Sequence, residues 1–213
     1  MADVVVETRG EVAWIRLNRP ERMNSYDAEM ARELITAVRG AADSGVIVIT
    51  GTGRAFCAGG YLANLQDPDA NALRSMFYGS LDVYESIRTS PRPVIAAVNG
   101  AAAGGGNELV VACDLAISAE RATFGQTGVR IGSAPVLGGT NFLTMTIGEK
   151  RAKEVAFMCR RYKAREALDM GWINAVVSDD ELEAEVTRWA DELLVMSPRY
   201  LEIAKISSNQ WWN

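Results

Sequence analysis

The sequence predicts an α/β protein, and three observations carry that prediction. Two short runs, VIVIT (46–50) and PVIAAV (93–98), are apolar and rich in β-branched residues without a break, as strands buried on both faces are. Each run ends at glycines or Asn-Gly, which break a strand. Each is then followed by a glycine run, Ala58-Gly59-Gly60 or Gly104-Gly105-Gly106, that opens a segment of helical period.

Taken in order, Asp3 to Thr8 and Glu11 to Leu17 read as a hairpin around Arg9-Gly10. Asp27 to Ala42 is an amphipathic helix with Met30, Leu34, Ala37 and Val38 on one side. After the strand at 46–50, Gly51-Thr52-Gly53 turns the chain and AFCAGG (55–60) reads as a loop. Asp69 to Arg88 forms a second long helix, which Ser90-Pro91-Arg92-Pro93 stops before the next strand. Asn99-Gly100 turns that strand, and GGGNELVVACD (104–114) begins a helix with apolar residues at helical spacing. A strand at Leu115 to Ser118 leads into the loop FGQTGVRIGSAPVLGG (124–139). Helices follow at about 138–147, 150–159, 164–170, 180–196 and 198–207, with no repeat, low-complexity tract or interdomain linker.

Composition bounds the function. A chain of 213 residues with 48% apolar content can bury a sizeable core. The net charge of −5 argues against a nucleic-acid surface, no stretch is long and apolar enough to span a membrane, and the start lacks a signal-peptide pattern. Cys57, Cys113 and Cys159 lie far apart without ligand spacing, which fits reduced thiols in the cytoplasm rather than disulfides or a metal site. The chain contains no histidine, so Ser-His-Asp and Cys-His catalysis and histidine metal centres are excluded. Cys57 therefore has no partner of that kind to activate it and reads as a small buried residue.

The glycine runs carry the chemistry. Each presents unpaired backbone N–H groups at a positive helix end, and glycine's missing Cβ lets a ligand carbonyl approach. Two such ends facing each other would cradle one oxyanion.

Five blocks together resemble the crotonase (enoyl-CoA hydratase/isomerase) superfamily: LNRPERMNS (17–25), VIVITGTGRAFCAGG (46–60), RPVIAAVNGAAAGGGNELVVACDLAISAERATFGQ (92–126), GSAPVLGGTNFL (132–143) and AREALDMGWINAVV (164–177). The resemblance implies a parallel ββα spiral core over residues 1–148, carrying the CoA and oxyanion site, and a helical trimerisation region over 149–213. It implies an acyl-CoA thioester as substrate, with CoA belonging to the substrate and no separate cofactor, and a homotrimer or dimer of trimers. The oxyanion-hole amides fall on Gly60 and Gly105 and a catalytic glutamate on Glu108, whose alternative reading is an acid that complements the helix N-terminus. Relatives have a longer connection at Ala42-Asp43-Ser44-Gly45 and several more C-terminal turns, which leaves open whether residues are absent at both places.

The second hydratase glutamate falls on Gly128 and is missing. FGQTG (124–128), IGS (131–133) and CRRYKAREALDMG (159–171) instead resemble dihydroxynaphthoyl-CoA synthase and related ring-opening acyl-CoA hydrolases. Ser133 matches a substrate-site serine of that branch, but its partner aspartate is Pro135 here. Ala58, Tyr61 and Leu62 complete the expected acyl pocket, where Tyr61 replaces an aspartate common in relatives, and Arg22 lies in the segment that contacts CoA in relatives. Trp211-Trp212 reads as an aromatic pair that packs on a neighbouring subunit. Water addition to a 2-enoyl-CoA leads, with hydrolytic opening of a cyclic oxoacyl-CoA and a non-catalytic acyl-CoA-binding role as alternatives.

Overall fold

The computed structural model describes residues 2–61, 70–135 and 137–210. Strands β1 (Val4–Arg9) and β2 (Val12–Leu17) form the expected antiparallel hairpin. Strands β3 (Val46–Gly51), β5 (Val94–Val98), β7 (Leu115–Ala119) and β10 (Ala175–Val177) continue the sheet beyond β2 in that order, each parallel to its neighbour. Every residue of β3 and of β5 is buried, which is why their sequences are continuously apolar. Alternate residues serve two cores: Ile47, Ile49, Val94 and Ala96 face one, and Val46, Val48, Ile95 and Ala97 face the other.

A second sheet holds β4 (Ala55–Cys57), β6 (Ala101–Ala103), β8 (Thr123–Gly125) and β9 (Tyr162–Lys163) in that order. The chain visits a strand of the large sheet, one of the small sheet, and then a helix. It does so as β3, β4 and α2 (Ala70–Arg88), and again as β5, β6 and α3 (Gly105–Ala112). The third turn runs β7, β8, a short 3-10 turn at Gly128–Ile131 and α4 (Asn141–Ile147). This is a ββα spiral. The helix α1 (Ala28–Gly40) buries Met30, Leu34 and Val38 in the first core, with the Asp27 side chain capping it by accepting from the Glu29 and Met30 N–H groups. The later helices are α5 (Glu149–Met158), α6 (Ala164–Asp169), α7 (Leu182–Leu194) and α8 (Pro198–Asn209). Of these, α7 covers the second core through Leu182, Val186 and Ala190.

Two expectations are corrected. AFCAGG is not all loop, because its first three residues form β4. The helix expected from 138 starts at Asn141, since Gly138 has φ +132, outside helical space. Asp69 and the Trp211-Trp212 pair lie outside the described residues.

The segment LNRPERMNS acts as a clamp. Arg19 is 8% exposed and pairs with Asp3 and, at 2.6 Å, with the capping Asp27, so one guanidinium ties the first strand to α1. Asn24, in the left-handed region at φ +56, donates its amide to the carbonyls of Thr52, Ala55 and Phe56. That fixes the start of β4, and hence the glycine loop after it.

Candidate active site

Two loops meet at the C-terminal ends of β4 and β6. In the first, the Tyr26 N–H donates to Gly59 O and the Tyr61 N–H donates to Tyr26 O, both at 2.9 Å, forming an isolated parallel bridge between Tyr26 and Gly60. This pattern turns the N–H of Gly60 to the side away from Tyr26. In the second, Gly104 caps α3 with φ 54 and donates its N–H to Gly125 O at 2.9 Å. Glu108 N–H bonds back to Gly104 O at 3.0 Å as the helical ladder starts, so Gly105 lies in the turn whose N–H groups precede it. The loops touch. Gly59 has φ +92, and a Cβ there would lie 2.9 Å from Gly105 N. Gly60 and Gly105 both line one cleft of about 120 Å³.

Glu108 stands on the first turn of α3 and lines the same cleft at 6% exposure. Its Oε1 accepts hydrogen bonds from the Leu137 and Gly139 N–H groups, each at 3.1 Å. Burial pushes its carboxyl above the usual glutamate range, and the two amides oppose that push. Among the described residues no lysine or arginine pairs with it. Tyr26 also lines the cleft, and burial raises its phenol above the ordinary value. Cys57 is fully buried, donates its thiol to Asn24 O at 3.1 Å and is pushed up to about 12 by burial, so it stands as a packed residue and not as a nucleophile.

Of the residues singled out in the sequence, Ala58, Gly60, Gly105, Glu108, Ser133 and Pro135 line this cleft together. Arg22 and Tyr61 are not among its lining residues but meet each other, the guanidinium lying 4.5 Å from the ring centroid. Leu62 lies outside the described residues. Gly128 lines the cleft and brings no acid; a Cβ there would sit 3.2 Å from Ser133 O. Glu108 is thus the carboxylate among the described lining residues. Sequence reasoning missed Tyr26, which holds the Gly60 loop, and the two amides of the LGG run (137–139) that grip Glu108. A consecutive Gly-Gly just before a helix was the available signal. Among the described residues no group of three or more Cys, Asp or Glu is arranged to hold a metal ion, and no helix is long and apolar enough to cross a membrane.

Comparison with known proteins gives a consistent match. The family described as enoyl-CoA hydratase/isomerase matches over residues 7–211. Enoyl-CoA hydratase subunit I of Geobacillus kaustophilus is 35% identical, with a TM-score of 0.93 over 99% of this chain and 82% of its own. Enoyl-CoA hydratase of Bacillus anthracis is 34% identical, with a TM-score of 0.93 over 98% of this chain and 83% of its own. Enoyl-CoA hydratase of Mycobacterium smegmatis is 26% identical, with a TM-score of 0.95 over the whole of this chain and 85% of its own.

Proposed function

The chain belongs to the enoyl-CoA hydratase/isomerase family of acyl-CoA-processing enzymes, and we propose that it adds water to a 2-enoyl-CoA with Glu108 as the proton-transferring group. The observation that carries this reading is one buried carboxylate, without a cation, in a cleft lined by two glycine loops that adjoin one another. The thioester oxygen takes hydrogen bonds from the amides of Gly60 and Gly105. Those donors favour the enolate over the ground-state carbonyl, because charge builds on the oxygen only as the reaction proceeds. One such donor is worth about 3–4 kcal/mol of barrier.

The electron balance is simple. Water oxygen bonds to Cβ, its proton passes to the Glu108 carboxylate, and the C=C electrons move through Cα towards the thioester oxygen. Collapse of the enolate takes a proton from Glu108 at Cα, leaving a 3-hydroxyacyl-CoA and the carboxylate restored. Ser133, half-buried in the cleft, holds the water where a second carboxylate would otherwise act. Ala58 and Pro135 line the acyl group, while Arg22, stacked on Tyr61, meets a CoA phosphate.

The exposed apolar residues Val195 and Met196 between α7 and α8, and Tyr200, Ile203 and Ile206 on α8, support a homotrimer or dimer of trimers. A monomer by sedimentation at micromolar concentration would contradict that assembly.

The glycine at position 128 favours a second reading, hydrolytic opening of a cyclic oxoacyl-CoA, since that chemistry resembles the branch with FGQTG. Incubation with a panel of acyl-CoAs, followed by product mass and loss of the conjugated enoyl absorbance, separates the two. Water gain with loss of that absorbance supports hydration. Water gain by a cyclic oxoacyl-CoA alone, with a new carboxylate, establishes the second reading, and no turnover of any thioester overturns both.

A further inference from the structure

We infer that Tyr84 is a positioning residue for Glu108, acting through the backbone of Gly138. Tyr84 lies on α2, 2% exposed, with its ring stacked on Phe142 of α4 at 5.1 Å between centroids and 19° between planes. Its edge fills the space that a side chain at position 138 would need. A Cβ on Gly138 would lie 2.4 Å from the Tyr84 hydroxyl oxygen and 2.8 Å from the ring, and Gly138 has φ +132. The residues on either side of Gly138 donate the two N–H groups that hold Glu108 Oε1. The ring therefore presses on the middle of the three-residue cradle whose ends grip the carboxylate.

An opposing surface comes from Gln126, just after β8. A Cβ on Gly139 would lie 2.3 Å from Gln126 Nε2. The Gln126 amide is 1% exposed, and neither of its polar atoms finds a hydrogen-bond partner among the described residues. A buried unpaired amide costs stability, so its retention against Gly139 fits a role in holding the cradle's shape. Residues 138 and 139 thus pack against both α2 and the start of the 124–139 segment.

The titratable groups facing Glu108 are Tyr26 from the segment before α1 and Tyr84 from α2. Beyond them lie Cys57 beside Tyr26, and Arg88 and Cys113 beside Tyr84. The Arg88 guanidinium lies 5.2 Å from the Phe142 centroid. The backbone amides are the local groups that favour the charged form. Loosening them raises the proton affinity of Glu108.

The carboxylate and its cradle can be followed without substrate, apart from the hydratase reading. The Glu108 side-chain carboxyl would be followed by carbon-13 NMR against pH in the full chain, with Glu108→Gln identifying the signal. Tyr84→Leu is expected to raise the midpoint by about one pH unit, the effect of losing one amide hydrogen bond to a carboxylate. Gly138→Ala, which drives a methyl against the ring, should move it in the same direction. Tyr84→Phe keeps the ring on Gly138 and should restore the midpoint of the parent protein. Ile87→Ala, a cavity in the same helix away from the cradle, should lower the melting temperature and leave the midpoint unchanged. Should Tyr84→Leu not fold, Gly138→Ala decides alone. An unchanged midpoint in the folded variants, or an equal shift in Ile87→Ala, would overturn the inference.

Discussion

The two ends of α3 each carry an acid, one buried and one partly open to solvent, and they are held in different ways. Glu108 stands on the first turn and Asp114 just past the last. Desolvation is the leading cause that pushes both carboxyls above their usual range, although the Asp114 side chain keeps 25% of its surface open to water and so feels that push less. Asp114 Oδ2 accepts from Val94 N–H at 2.8 Å and meets Lys205 Nζ at 2.7 Å. That ammonium also donates to the carbonyls of Ile87 and Arg92 at 2.9 Å, and burial holds its own proton affinity down. The pair locks α8 onto the spiral. Glu108 has two neutral amides and no cation, so its charge is tolerated without being tightly neutralised. A carboxylate without a cation beside it takes up and releases a proton more readily than one held by an ammonium.

Substitution at each end should therefore break different properties. Glu108→Gln keeps the shape and removes the titrating group, so kcat should fall by about two to four orders of magnitude with CoA affinity retained. Steady-state kinetics with a substrate found in the panel would check this, and turnover at the parent rate would return Glu108 to a helix-end role. Lys205→Met should leave kcat within a few-fold but destabilise the fold by about 1–3 kcal/mol, because the carbonyls of Ile87 and Arg92 lose their donor and the partly exposed Asp114 loses its cation. Denaturant unfolding measures that loss, and Asp114→Asn added to Lys205→Met should recover part of it.

A smaller effect at Glu108 is read by pH. Glu108 has a folded-state pKa above its unfolded one, so the unfolded chain loses that proton first as pH rises and the folded state loses stability through the interval between the two values. The melting temperature of Glu108→Gln should thus gain on the parent protein as pH rises from about 4 and level off above the folded value. A gap between the two that does not vary with pH would show that Glu108 titrates alike in both states. Least of all, Arg22→Ala removes an exposed guanidinium from the Tyr61 ring, and a few-fold rise in KM with unchanged kcat is expected, equivalent to about 0.5–1 kcal/mol.

Much of the fold was legible because its central strands are buried on both faces and so are written as unbroken apolar runs at 46–51 and 94–98. The short strands at 55–57 and 101–103 were not, since three residues cannot display a period of two. Six of the nine proposed site residues line one cleft because they follow strand ends, where glycine runs and the first turn of α3 are readable in order. The amides on Glu108 come from residues 29 and 31 positions away, and Lys205 reaches residues 113 and 118 positions away. Pairings of that range leave no local pattern. Tyr26 was hidden for another reason: it contributes backbone hydrogen bonds to the Gly60 loop, and any residue type supplies those.

The proposed reaction places one thioester oxygen between the amides of Gly60 and Gly105 with Glu108 beside the reacting carbons. The most direct measurement is a crystal structure with a bound, slowly reacting acyl-CoA. That oxygen is expected at about 2.7–3.1 Å from both glycine nitrogens, with the Glu108 carboxylate in reach of Cα and Cβ. A thioester bound elsewhere, or held in the cleft with either amide turned away from its oxygen, would contradict it.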